Sequence, residues 1–249
     1  FRRARFERRL GFRIESKTLG QSKAVLAGAS LPQTHPFRYF RELKKILQEE
    51  TAAASLRRLK QWSAFRLFGE AQDFDPEAAI RLDKKWETSR LALAGRFTGE
   101  IWLPRLLALT ARFSLPVLEK FGRDVHLTKA EMLAMRQSRQ GPEIARLLSG
   151  QRKKSEIYRG LIRFSPAALV YFRLRAAAGD AVKKLNWFLA KPGTPALKLN
   201  GADLQKYGFA AGKEIGRVMD DLFDAKIDGI VKTVAEEQAF VRERLKRAI

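Results

Sequence analysis

Apolar residues recur three and four positions apart along almost the whole chain, and no stretch shows the two-residue alternation, rich in β-branched residues, that a half-buried strand requires. A chain with that period buries its apolar stripes helix against helix. The expected fold is all-α: an elongated multi-helix array followed by a small helical C-terminal module. Residues 2–10 read as a first helix that Gly11 closes in the left-handed conformation, and residues 18–27 as a second, before a loop with Pro32 and Pro36. From Pro36, suited to a first helical turn, Phe37, Phe40, Leu43, Ile46 and Leu47 form one stripe. Leu56, Leu59, Trp62 and Phe65 repeat it in a fourth helix.

Local signals punctuate the middle. Asp75-Pro76 reads as a cap and a first-turn proline opening a helix through Ile80, Leu82 and Trp86. Gly95 and Gly99 break the chain before a helix over 101–113, and Ser114 and Pro116 bracket the next turn. Thr128-Lys129-Ala130-Glu131 is a capping box that starts a helix running to about 140. Gly141-Pro142 restarts the chain, and helices follow near 155–178, broken at Ser165-Pro166, and over 180–189. Lys191-Pro192-Gly193-Thr194-Pro195 cannot continue a helix and reads as a linker. Beyond it, 201–207, 212–225 and a helix from a second capping box, Thr233-Val234-Ala235-Glu236, make the C-terminal module. The predicted regions are 1–68, 69–195 and 196–249.

Charge changes at the same linker. The 249 residues carry a net +22, but residues 1–197 hold 39 basic and 18 acidic side chains while 198–249 hold 10 and 9. The basic residues are interleaved with Leu, Ile, Phe and Trp at helical spacing, so the positive surface is expected to be folded and to meet a polyanion. No cysteine occurs, which excludes disulfides and thiolate metal sites. Apolar runs such as 167–171 are too short for a membrane span, and a cytoplasmic protein without membrane association is expected. Phe1 is not a Met and opens inside an apparent helix, so a segment upstream is expected.

Catalytic constellations are scarce. Asp73 and Asp75 are the close carboxylate pair, but Asp75 is explained as a helix cap, and no third carboxylate or glycine-rich phosphate loop accompanies them. His35 and His126 lack ligand spacing. Trp62, Trp86, Trp102 and Trp187 fall on apolar stripes and read as core. Gly208 is expected to end one helix, Gly212 to start the next and Gly216 to admit a neighbouring backbone. Gly212 and Lys213 then form either a phosphate-favouring helix N-terminus or a plain tight turn. The strongest basic cluster is Arg152-Lys153-Lys154, with Arg159 and Arg163 after it and Arg136, Arg139 and Arg146 before it. Over 136–175 the acids are Glu143 and Glu156, a pattern that favours phosphate contact. Arg2, Arg3, Arg5, Arg8, Arg9 and Arg13 form a second cluster, expected to pair in part with Glu7 and Glu15 or with the segment upstream.

Three stretches resemble a known family. Arg3-Ala4-Arg5-Phe6-Glu7-Arg8-Arg9-Leu10-Gly11-Phe12 is similar to the Arg-Ala-x-Arg-Phe segment ending in Leu/Phe-Gly-Phe of class II tRNA nucleotidyltransferases, the bacterial CCA-adding and A-adding enzymes, with one residue less between its arginines. Residues 38–47, Arg-Tyr-Phe-Arg-Glu-Leu-Lys-Lys-Ile-Leu, resemble the neck helix that follows in that family. Asp203-Leu204-Gln205-Lys206-Tyr207-Gly208, leading to Gly212-Lys213-Glu214-Ile215-Gly216, resembles its C-terminal signature, although Ala211 and Lys213 stand where the family often has prolines. The order and separation of all three agree with the family.

The resemblance implies a neck (1–68), body (69–195) and tail (196–249), with the catalytic head outside this chain. Magnesium and ATP or CTP would belong to that head, so this chain alone is expected to be inactive while its parent is a transferase of tRNA 3′-end processing. The implied partner is tRNA, held at the acceptor stem and elbow by shape and backbone. The expected RNA-binding residues are Arg136, Arg139, Arg146, Arg152, Lys153, Lys154, Arg159, Arg163, Lys206, Lys213 and Arg217. Two alternatives stay open: the same region of a bacterial poly(A) polymerase, and a non-enzymatic RNA- or ribosome-associated helical protein. A DNA-binding protein ranks last, for want of a recognition-helix pair.

Overall fold

The computed structural model describes residues 1–11, 13–27, 35–69, 71, 73–93, 95–97, 99–191 and 193–248. Phe12 of the first resembling stretch, Pro32 of the expected loop and Pro192 of the expected linker lie outside them. Among the described residues the helices are α1 (Arg2–Leu10), α2 (Ser16–Ala27), α3 (Pro36–Gln48), α4 (Ala52–Gln61), a 3-10 helix at Ala64–Phe68, α5 (Pro76–Leu93), α6 (Trp102–Leu109), α7 (Leu115–Asp124), α8 (Lys129–Gln137), α9 (Gly141–Leu148), α10 (Lys154–Leu161), α11 (Pro166–Arg175), α12 (Asp180–Ala190), α13 (Gly201–Lys206), α14 (Lys213–Asp228) and α15 (Val234–Ala248). They include no strand, so the fold is all-α. No described helix is long and apolar enough to cross a membrane. Two compact units result: Phe1–Glu143 with Phe164–Ala190, and Ile144–Arg163 with Lys191–Ile249.

In the first unit α6 packs against α5, α11 and α3. Apart from Arg105 its sequence is apolar all round, as suits a helix enclosed by others, and Leu106, Leu107 and Leu109 are fully buried. Each contributes about 1.5–3 kcal/mol of apolar burial. Pro104 sits in the first turn, where a missing N–H costs no intrahelical bond. The helix expected over 101–113 stops at Leu109: the Thr110 hydroxyl donates to the Leu106 carbonyl at 2.9 Å, and Arg139 donates to the Thr110 and Ala111 carbonyls at 2.6 Å each. Arg105, 3% exposed, closes the end of α3 in the same way by donating to the Leu47 and Glu49 carbonyls at 2.6 and 3.0 Å, while Asp83 at 2.5 Å balances its charge.

Aromatic side chains fill the space beside this frame. Phe65, Phe68, Phe74, Phe113 and Phe121 pack mostly edge to face, with centroids 4.6–5.7 Å apart. The expected fourth-helix stripe is split, because α4 ends at Gln61 and Ser63 turns the chain with φ 53° before the 3-10 helix. Asp75 caps α5 as expected, accepting from the Ala78 amide at 2.9 Å. At the far end of α5, Gly95 lies so close to α12 that a Cβ there would stand 2.2 Å from the Ala190 carbonyl oxygen. The Arg96 amide donates to the Leu189 carbonyl at 2.7 Å in the same crossing.

The second unit centres on Leu199, Leu204, Phe209, Val218, Leu222, Val231 and Val241. Thr233 and Glu236 form the expected capping box, and Asn200 with Asp203 forms another. Glu237, wholly buried, accepts from the Lys198 and Leu199 amides at 2.9 and 3.1 Å and from the Lys226 ammonium. It ties the segment entering α13 to α14 and α15. Gly212 has φ 115° and ψ −137°, a backbone state that suits glycine, and starts α14 as expected. Gly216 has open space around it, so the close backbone approach expected there does not occur.

Candidate nucleic-acid interface

Nine of the eleven residues expected to bind RNA fall in the second unit, on α9, α10, α13, α14 and the turns between them. Gly150 takes φ 67° ahead of Arg152, Lys153 and Lys154, and the backbone then enters α10. Lys153 supplies no side-chain cap. Asp228, at the end of α14, does so instead, accepting from the Ser155 amide at 2.8 Å and its hydroxyl at 3.0 Å. One α10 turn later, Arg159 meets Asp224 at 2.7 Å and Asp220 at 3.2 Å. Ser155 and Arg159 on α10 thus match Asp228, Asp224 and Asp220 read backwards along α14, so the two helices run antiparallel with an acidic stripe facing α10.

That register sorts the basic residues. The Asp224 hydrogen bond, with partial burial opposing and Asp220 adding to it, raises the Arg159 guanidinium above its ordinary value, and the side chain is committed to α14. Arg152 is held loosely by Glu156 at 3.8 Å, with both groups exposed. Lys153, Lys154 and Arg146 are exposed. The Arg163 Nε donates to the Gly160 carbonyl at 3.1 Å. Lys213 and Arg217 are exposed on the first turns of α14, before its aspartates begin, and Lys206 pairs with Asp203 at 3.6 Å. In the first unit Arg136 pairs with Glu119 at 3.0 Å, and Arg139 serves the end of α6.

Other sequence candidates resolve into structural roles. Arg112 meets Asp75 at 3.2 Å and Asp73 at 3.9 Å, and among the described residues no group of three His, Asp or Glu side chains is placed to hold a metal. His126 stacks on Phe37 with centroids 4.9 Å apart. Trp62 and Trp102 are buried, and Trp86 and Trp187 are half-buried. Glu7 pairs with Arg58 rather than within the N-terminal cluster, and Arg5 reaches Glu42 and Glu49 at 3.3 and 3.7 Å. A further grouping escaped the sequence reading: Arg81, Lys85 and Arg175 surround one groove of the first unit. The four-residue step from Arg81 to Lys85 was its only local trace.

Taken together these features define a basic, all-helical scaffold in which the described residues form no metal-holding group of His, Asp and Glu. No family model matches the chain. It is 25% identical over 248 residues to the A-adding tRNA nucleotidyltransferase of Geobacter sulfurreducens, across 95% of this chain and 28% of that protein. It superposes with TM-score 0.73 and 22% identity on apo form II of a CCA-adding enzyme, across 100% of this chain and 58% of the other. The Thermotoga maritima CCA-adding enzyme complexed with tRNA-CCA gives TM-score 0.73 and 21% identity, across 100% and 60%. The chain therefore spans less than two thirds of the length of each. The resemblance to tRNA nucleotidyltransferases seen in three short stretches extends along nearly the whole chain, in sequence to an A-adding enzyme and in fold to CCA-adding enzymes.

Proposed function

We propose that this chain is the tRNA-holding neck, body and tail of a tRNA nucleotidyltransferase, the parent adding CCA or the terminal A to the tRNA 3′ end. The observation that carries the reading is the fold shared along the entire chain with a CCA-adding enzyme complexed with tRNA. The net +22 charge supports it, since phosphate neutralisation supplies most of the sequence-independent affinity for a nucleic acid. Lys153, Lys154, Arg146, Lys213 and Arg217 hold the backbone in the second unit, and shape does the reading, because A-form RNA denies side chains its deep groove.

In the parent, magnesium would clamp the charge that develops as the tRNA 3′ hydroxyl attacks the α-phosphate of CTP or ATP. Similar CCA-adding enzymes have been solved with ATP and with CTP. The residues here do not fit that metal: Asp73 and Asp75 are paired with Arg112, and Asp75 also caps α5. The work of this chain is binding and orientation. The test is affinity for tRNA against duplex DNA of equal length across a salt titration. Preference for tRNA at every salt concentration is expected, and equal affinity throughout overturns the reading.

A further inference from the structure

The first unit holds a groove of about 330 Å³ between α5, α6 and α11, lined among others by Arg81, Lys85, Tyr171 and Arg175. Arg81 and Lys85 stand one turn apart on α5, and both are exposed. Lys85 donates to the Ala176 carbonyl at 3.1 Å, which holds its ammonium beside the end of α11. Arg175, the last residue of α11, donates to the Tyr171 hydroxyl at 2.5 Å. Arg139 approaches through its bonds to the Thr110 and Ala111 carbonyls, and its Nε is buried without a partner. Burial lowers the Arg139 guanidinium below its ordinary value, with Tyr171 opposing it and Arg175 making the smallest contribution.

Among the described residues the groove is lined by one acid. Asp75 is the carboxylate in the wall, and it is already engaged by Arg112 at 3.2 Å and the Ala78 amide at 2.9 Å. Glu77, one turn before Arg81, faces Lys60 at 3.9 Å. Elsewhere on the same unit surface cations do pair with acids, as Arg136 does with Glu119 and Lys120 with Asp124. Here three cations, Arg81, Lys85 and Arg175, line one concavity, where low-dielectric walls concentrate the field.

We propose that this groove is a phosphate-binding site, filled by a backbone phosphate of a structured RNA. The inference rests on the RNA-holding reading for the identity of the phosphate's carrier, not for the site itself. Arg175, held in place by the buried Tyr171 hydroxyl, donates to the phosphate oxygens, and Arg81 and Lys85 neutralise the charge. The volume admits a phosphodiester with its flanking riboses.

The experiment compares the chain with its Arg81→Ala/Lys85→Ala variant, two exposed positions whose loss spares the core, and with Arg175→Gln. Circular dichroism melting confirms folding. Each variant is titrated with tRNA between 50 and 200 mM salt and, separately, melted with inorganic pyrophosphate and with ATP. The double variant is expected to flatten the slope of log K against log salt by about 1, the contribution of the one phosphate that is no longer neutralised. Pyrophosphate is expected to raise the melting temperature of the parent chain and of neither variant. An unchanged slope in both folded variants overturns the assignment to RNA. If ATP stabilises the parent chain alone while the tRNA slope is unchanged, the phosphate comes from a free nucleotide. If the parent chain binds no tRNA, the functional reading fails, and the pyrophosphate arm still decides the groove: no stabilisation of the parent chain refutes it.

Discussion

Two substitutions a few residues apart are expected to have opposite signatures. Lys153 and Lys154 are exposed and have no acid partner among the described residues, whereas Arg159 is held by Asp220 and Asp224. Each cation that neutralises a duplex phosphate contributes about 0.9 to the salt slope. Lys153→Ala/Lys154→Ala therefore flattens the slope for tRNA by about 2. Between 50 and 200 mM salt, a fourfold range, that difference amounts to roughly a tenfold convergence of the variant's affinity on the parent's. Arg159→Ala leaves the slope unchanged. It weakens the packing of α10 on α14 instead, and for two exposed ion pairs the loss is about 1 kcal/mol in total. Fluorescence anisotropy with labelled tRNA at five salt concentrations gives the slopes, and urea denaturation followed by circular dichroism gives the stability. If Arg159→Ala flattens the slope as much as the double variant while its urea midpoint stays put, the assignment of Asp220 and Asp224 as its partners is wrong.

Three further outcomes are expected. Glu237→Gln places an amide donor against either Lys226 or the Lys198 and Leu199 amides, and breaking such a buried pair costs about 3–5 kcal/mol; hydrogen exchange at 198 and 199 should accelerate, and unaltered protection there would remove Glu237 as the clasp. Stability should fall on acidification below the ordinary glutamate value of about 4.3. Burial raises Glu131 and Glu237, but the Thr128 amide and Lys44 in one case, and Lys226 with two amides in the other, outweigh it, so both are held low; Glu236 is lowered by the Thr233 and Lys232 amides. The unfolded chain takes up these protons first, so the stabilisation is complete above that range and lost as pH drops through the lower native values. Asp83, raised mainly by burial, acts in the opposite sense, and a urea midpoint constant from pH 7 to pH 3 would contradict the balance. Gly95→Ala forces a methyl onto the Ala190 carbonyl and should cost about 1–3 kcal/mol, whereas an unchanged melting temperature would mean the crossing is looser than 2.2 Å implies.

What could be read from the sequence was local. The Thr128 and Thr233 capping boxes, the Asp75 cap and the Pro36 start each involve residues within four positions, and all appear in the structure. The Asn200 and Asp203 box carries the same three-residue spacing and was legible, though unread. What escaped was long-range. Within 136–175 the acid at helical spacing from Arg159 is Glu156, yet its two partners come from 61 and 65 residues away. Arg139 and Arg105 act on carbonyls, which every residue carries, so no side-chain pattern could reveal them. The stripe through Trp62 and Phe65 had helical spacing, and only the turn at Ser63 shows that it bends.

The aspartates of α14 imitate a phosphate strand, at one remove. Set along one helical face, Asp220 and Asp224 hold the Arg159 guanidinium of α10 from within the molecule, while Asp228 holds the start of that helix through Ser155. An α10 freed of α14 would cling to any polyanion. Folded, the chain offers a narrower set of charges than its sequence counts, because Arg159 has been taken up by its own neighbours.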